Sequence, residues 1–142
     1  VWADALLSAE RQYLLRMLAW NGLSIVLGTL LLTILVARRI RSALLTNFAA
    51  QAIAWGIVVG IISVIAFRAL HLRDVGGAAR LERFVWLRVG LDVGVAAVGG
   101  TLVLTGRMPP RRLAMIGAGL GVVVQGLALL VLDLQFASLV SR

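Results

Sequence analysis

Long apolar runs alternate with short arginine clusters along this chain, and the alternation sets out four helices. About 20 consecutive apolar residues cross a bilayer as an α-helix. Four segments reach that length, at about 14–37, 43–67, 84–105 and 113–140. The first stops at "RRIR" (Arg38, Arg39, Arg41), the second at Arg68 and the third at "GRMPPRR". Helix is the only regular structure that satisfies the backbone of a single segment in lipid. The runs also lack the polar–apolar alternation of membrane barrel strands. The first run is far longer than the roughly 7–15 apolar residues of a secretory signal, so it reads as a span.

The pattern predicts an all-α fold: an integral membrane four-helix bundle made of two antiparallel helical hairpins, with both termini on the same side of the membrane. Residues 1–142 form a single transmembrane domain. The connections after the first and third spans are tight turns, and Pro109 and Pro110 end one helix and start the next. The connection from Arg68 to Arg83 is longer, holds Gly76 and Gly77, and ends in "AARLER", which extends the third helix out of the membrane. Residues 1–13 ("VWADALLSAERQY") could form a short interfacial helix, with Trp2 and Tyr13 at headgroup level. The side carrying the termini is called side B, and the side carrying the two tight turns side A.

Composition sharpens this picture. The chain is 61% hydrophobic and 14% charged, against roughly 45–50% and 25% in soluble domains, and its mean hydropathy is +1.02. The formal charge of +8 is carried by arginine alone. The arginines cluster at the ends of apolar runs, which points to membrane lipids with anionic headgroups as the partner and not to nucleic acid. Setting aside Arg16 and Arg88, which lie in or at the edge of spans, the arginines divide six against six between the two sides. The positive-inside rule therefore does not fix the orientation. There is no cysteine, which removes disulfides, thiolate metal sites and cysteine nucleophiles.

Small residues suggest where helices meet. Gly56 and Gly60, Gly90 and Gly94, and Gly117 and Gly121 each stand four apart on one helical face. Such faces let backbones approach closely in lipid, and three of them argue for a compact bundle.

The polar residues inside the spans must also find partners. At about 1.5 Å per residue, Asn21, Asp92 and Asp133 all lie roughly 10–12 Å in from side B. Ser63 sits in the same half of the second span, and Arg88, shallower, can snorkel. Gln125 lies about 80° from Asp133 on the fourth helix. These positions predict a buried polar layer of Asn21, Ser63, Arg88, Asp92, Gln125 and Asp133, with Asn47 and Gln51 forming a smaller polar face nearer side A. An unpaired charge in lipid costs at least about 2.5–3.5 kcal/mol, so Arg88 is expected to bridge Asp92 and Asp133. The alternative is that one aspartate serves as a proton or cation site.

Two stretches, "VGLDVG" (89–94) with "GG" (99–100) and "VVQGLALLVLDL" (123–134), resemble a family of small four-span bacterial membrane proteins known as a domain of unknown function. "AWNGLSIVLG" (19–28) and "NFAAQAIAWG" (47–56) agree more loosely. The family usually carries asparagine where Arg88 stands. The resemblance implies the four-helix fold and location in the bacterial inner (cytoplasmic) membrane, and it supplies no reaction.

Enzymatic chemistry is not expected. The single histidine, His71, falls in a loop, so no span carries a haem ligand, and no metal or other cofactor is expected. "GLD" (90–92) lacks the glycine that intramembrane aspartyl proteases place directly before the aspartate. An accessory or scaffold subunit, packing against other membrane proteins or against itself, is the leading expectation. A small oligomeric transporter or channel using Asp92 and Asp133 is the alternative.

Overall fold

The computed structural model describes residues 2–142 as four helices joined by short connections: α1 (Trp2–Ala37), α2 (Ala43–Arg68), α3 (Val75–Arg107) and α4 (Leu113–Val140). Each is long and apolar enough to cross a membrane, and there is no strand among the described residues. The fold is the expected helical bundle.

Two helices are longer than expected. α1 has 36 residues and α3 has 33, or about 54 and 50 Å of helix, against a hydrocarbon core of about 30 Å. Residues 2–13 are therefore not a separate interfacial element but the opening turns of α1 (Val1 lies outside the described residues). The reason is a continuous stripe: Glu10, Tyr13, Met17, Asn21, Ser24, Gly28 and Leu35 are all buried at three-, four- and seven-residue spacing. The loop before α3 is correspondingly shorter. Asp74 caps the helix by accepting a hydrogen bond from the Gly77 N–H at 2.7 Å. This places Gly76 and Gly77 in the first turn of α3 rather than in a loop.

Glycine contacts give the register. Gly28 faces Ala49 and Ile53, and Gly56 faces Asn21 and Ile25, so α1 and α2 are antiparallel neighbours. Gly99, Gly106, Gly119 and Gly126 seat α3 against α4, again antiparallel. Gly117 meets the Leu44 backbone, and Gly121 meets Phe48 and Gln51, so α2 and α4 run parallel with their N-termini side by side. α4 thus touches all three other helices, while α1 and α3 make no close backbone approach. The N-terminal end of α1 and the C-terminal end of α4 both lie on side B. The largest apolar cluster also sits in that half, built on Leu14, Met17, Val85, Val89, Leu129 and Phe136.

The expected glycine faces divide. Gly56, Gly117 and Gly121 make helix contacts in which an added Cβ would fall within 3.0 Å of a neighbour, and Gly60 is looser, at 3.6 Å from Asn21 Cβ. Gly90 and Gly94 do not pack within the bundle, since a Cβ at either would meet nothing within 4 Å. The inward face of α3 is set by Val85, Val89, Asp92, Gly99 and Gly106. At 100° per residue, Gly90 and Gly94 point about 160° away from Asp92.

Candidate functional site

The polar residues of the spans gather at two levels, not in one layer. The first holds the charges. Asp133 of α4 is fully buried, and Arg88 of α3 places Nε 3.2 Å from its Oδ2. Tyr13 of α1 donates its phenolic hydrogen to Asp133 Oδ1. The Tyr13 ring stacks on Phe136 with centroids 4.3 Å apart and planes 10° from parallel. The Arg88 guanidinium carbon lies 5.9 Å from the same ring centre, within cation–π range. Three helices therefore meet at one carboxylate, and Tyr13 and Arg88 span the gap that the α1 and α3 backbones leave open.

Asp92 stands beside this group. Its carboxyl neighbours that of Asp133, it is buried, and its Oδ2 has no hydrogen-bond partner. Arg88 forms its ion pair with Asp133 and does not bridge both acids as expected. The arginine sits four residues before Asp92 on the same helix, and its side chain extends across to α4 instead of lying back along α3.

The second level is neutral. Gln125 of α4 donates from Nε2 to Ser24 Oγ at 3.1 Å and accepts at Oε1 from Trp20 Nε1 at 3.0 Å, tying α4 to α1. Asn21 faces α2 instead: its Nδ2 donates to Ser63 Oγ across 3.5 Å, and Ser63 in turn donates to the Val59 carbonyl of its own helix at 2.7 Å. Asn21 Oδ1 is buried without a partner. Asn21 and Ser63 thus link α1 to α2, away from the carboxylates. Of the side-A pair, Asn47 donates to the Ala43 carbonyl of its own helix at 2.8 Å, and Gln51 packs against Gly121 of α4.

Tyr13, expected at headgroup level, is instead a buried ligand of Asp133, because α1 begins at Trp2 and carries Tyr13 three turns into the bundle. Its spacing of four residues from Met17 and eight from Asn21 is the signal that points inward. Nothing local announces the ion pair of Arg73 with Glu10, in which Nη2 and Nε approach the two carboxylate oxygens at 2.9 and 3.2 Å. That pair clamps the α2–α3 loop to α1. Trp86 stays outward as an interfacial residue would, donating to Ser141 Oγ at 3.2 Å. His71 lies exposed in the loop.

A small crevice of about 10 Å³ lies between α1 and α4 beside Tyr13, Arg16, Gln135 and Phe136, and neither aspartate lines it. Two larger grooves, of about 460 and 490 Å³, lie on outer faces between α1 and α2 and between α1 and α4 and are lined mainly by apolar side chains. No group of three or more histidines, cysteines or acidic residues suited to a metal occurs among the described residues. Chemically, the cluster can hold helices in register, and it carries two carboxyl groups against one guanidinium.

No curated protein and no solved structure shows significant similarity to the chain. A family profile matches residues 16–134, a stretch that takes in Arg88, Asp92, Asp133, the neutral level and every helix-packing glycine named above, but not Tyr13 or Phe136. With four apolar helices and a match over most of its length, the chain belongs to DUF6992, a family of unknown function.

Proposed function

We propose that this protein is a non-catalytic accessory or scaffold subunit of the bacterial cytoplasmic membrane, one whose work is to present a rigid bundle to other membrane proteins. The observation that carries this reading is the three-helix junction at Asp133. Its carboxylate is engaged from α1 and α3 at once. Such an arrangement fixes the position of one helix against two others. The outer surface suits the same role: Gly90 and Gly94 on α3 are bare and would let a neighbouring helix approach closely.

The reading is tested by mild solubilisation of native membranes, followed by sizing and mass identification of what the protein travels with. A defined, stoichiometric complex with a larger membrane protein is the expected result. A lone bundle or homo-oligomer with no other component contradicts it.

One observation favours the second reading, a small oligomeric transporter or channel. Asp92 Oδ2 is buried and unpartnered next to a second carboxyl, as a proton- or cation-binding group would be between turnovers. Reconstituted protein that dissipates an ion gradient, with the flux abolished by Asp92→Asn, would establish that reading over the first.

A further inference from the structure

The arginines of the two membrane sides are used differently. On side B, Arg73 is paired with Glu10, Arg88 with Asp133, and Arg16 reaches Gln135. All six acidic residues of the chain lie in that half. Side A carries Arg38, Arg39, Arg41, Arg107, Arg111 and Arg112 with no acidic residue. All six are exposed.

The two side-A turns are neighbours, because Gly117 of α4 lies against the Leu44 backbone of α2. Both arginine groups therefore crown one end of the α2–α4 pair. Beneath Arg39 and Arg41 runs a groove of about 330 Å³, lined by Leu32, Leu35, Val36, Ile40 and Thr46. Its walls are apolar toward the membrane and cationic at the rim.

The backbone at this rim is strained in favour of the side chain. α1 ends in a Schellman turn, with the Ile40 N–H bonded to Leu35 O at 2.9 Å and the Arg39 N–H to Val36 O at 3.1 Å. Arg39 occupies the left-handed position of that turn with φ 53°, and it is the only non-glycine residue with positive φ among those described. Glycine is the ordinary occupant there, since a side chain makes that conformation costly. An arginine at this position maintains a guanidinium at the mouth of the groove.

We infer that side A carries a binding site for an anionic phospholipid, with Arg39 and Arg41 on the phosphate and an acyl chain in the groove along Leu32, Leu35 and Val36. Charge complementarity selects the occupant: six cations with no acidic residue among them, at headgroup depth, above an apolar slot. The site is independent of the scaffold role, because it needs no protein partner.

The test uses the full chain reconstituted in vesicles of equal parts phosphatidylglycerol and phosphatidylcholine, extracted with mild detergent and analysed for retained lipid by native mass spectrometry. The parent protein should retain phosphatidylglycerol preferentially. Each arginine removed should lower that preference about fivefold, and Arg39→Gly with Arg41→Gln together roughly 25-fold. Arg39→Lys with Arg41→Lys should keep most of it. Arg80→Gln with Arg83→Gln removes the same charge from side B and should leave the preference within about twofold. Equal losses from the side-A and side-B pairs, or undiminished preference in the Arg39→Gly, Arg41→Gln protein, would overturn the assignment.

Discussion

Tyr13 and Asp133, 120 residues apart in sequence, are joined by a buried hydrogen bond from the phenol to the carboxylate. With Arg88 on the other oxygen, this contact makes α4 the element to which α1 and α3 are both fastened. A hydrogen bond to a charged group contributes about 1.5–3 kcal/mol in water-soluble folds, and interhelical bonds in membranes about 0.6–2 kcal/mol. Tyr13→Phe keeps the stack on Phe136 and removes only the hydroxyl. It should lower stability by about 1–2 kcal/mol, measured as a shift in unfolding in detergent, and an unshifted transition would show that the contact is dispensable.

The close approach of α2 and α4 gives a sharper contrast. A Cβ at Gly117 would sit 2.0 Å from Leu44 O, an atom of the backbone, whereas at Gly90 it would meet nothing within 4 Å. Gly117→Ala should therefore destabilise the bundle by about 2 kcal/mol or more, through forced separation of the helices. Gly90→Ala should be neutral or stabilising in the isolated protein by up to about 1 kcal/mol, since alanine is the better helix former. Reversal of that order would contradict the helix register described here.

Arg39 predicts an uncommon gain. Arg39→Gly relieves a left-handed residue and should raise stability by roughly 0.5–1 kcal/mol in lipid-free detergent. Thermal unfolding with and without added phosphatidylglycerol checks it: the variant should be the more stable without lipid and gain less when lipid is added. A variant less stable than the parent without lipid would mean that the turn depends on the arginine for folding.

Asp74 caps α3 where two glycines would otherwise leave the first turn weak. Asp74→Ala should cost about 1 kcal/mol and raise amide exchange over residues 75–79, while exchange in the α3–α4 contact around Gly99 stays slow. Uniformly faster exchange throughout α3 would indicate that the cap does more than hold the first turn.

Much of the architecture is legible in the sequence because the bilayer fixes it. Runs such as "GIVVGIISVIAF" have one stable conformation in lipid, and arginine clusters mark where they end. Asp133, Asp92 and Arg88 are also legible as residues that need partners, since charge in lipid is costly. Who pairs with whom is less legible. The reach of Arg88 to Asp133 depends on the azimuth of α3 relative to α4, and the face of Gly90 and Gly94 has the right spacing but the wrong direction. Tyr13 and Glu10 are hidden because a mixed polar–apolar opening, "WADALLSAERQY", resembles an interfacial segment. Only the stripe running on through Met17, Asn21 and Ser24 shows it to be continuous with the span. The pairing of Glu10 with Arg73 joins residues 63 apart in sequence, and no local pattern encodes it.

If the buried charges act as a structural lock, Arg88 and Asp133 must be energetically coupled, and a double-mutant cycle on that pair tests this most directly. Arg88→Gln, Asp133→Asn and the double variant remove each charge, the second isosterically, and the amide oxygen introduced by Asp133→Asn would still accept from Tyr13. Unfolding free energies of the four proteins in one detergent should give a coupling energy of about 1–3 kcal/mol, with the double variant closer to the parent than the two single losses added together. A coupling energy indistinguishable from zero would contradict the lock.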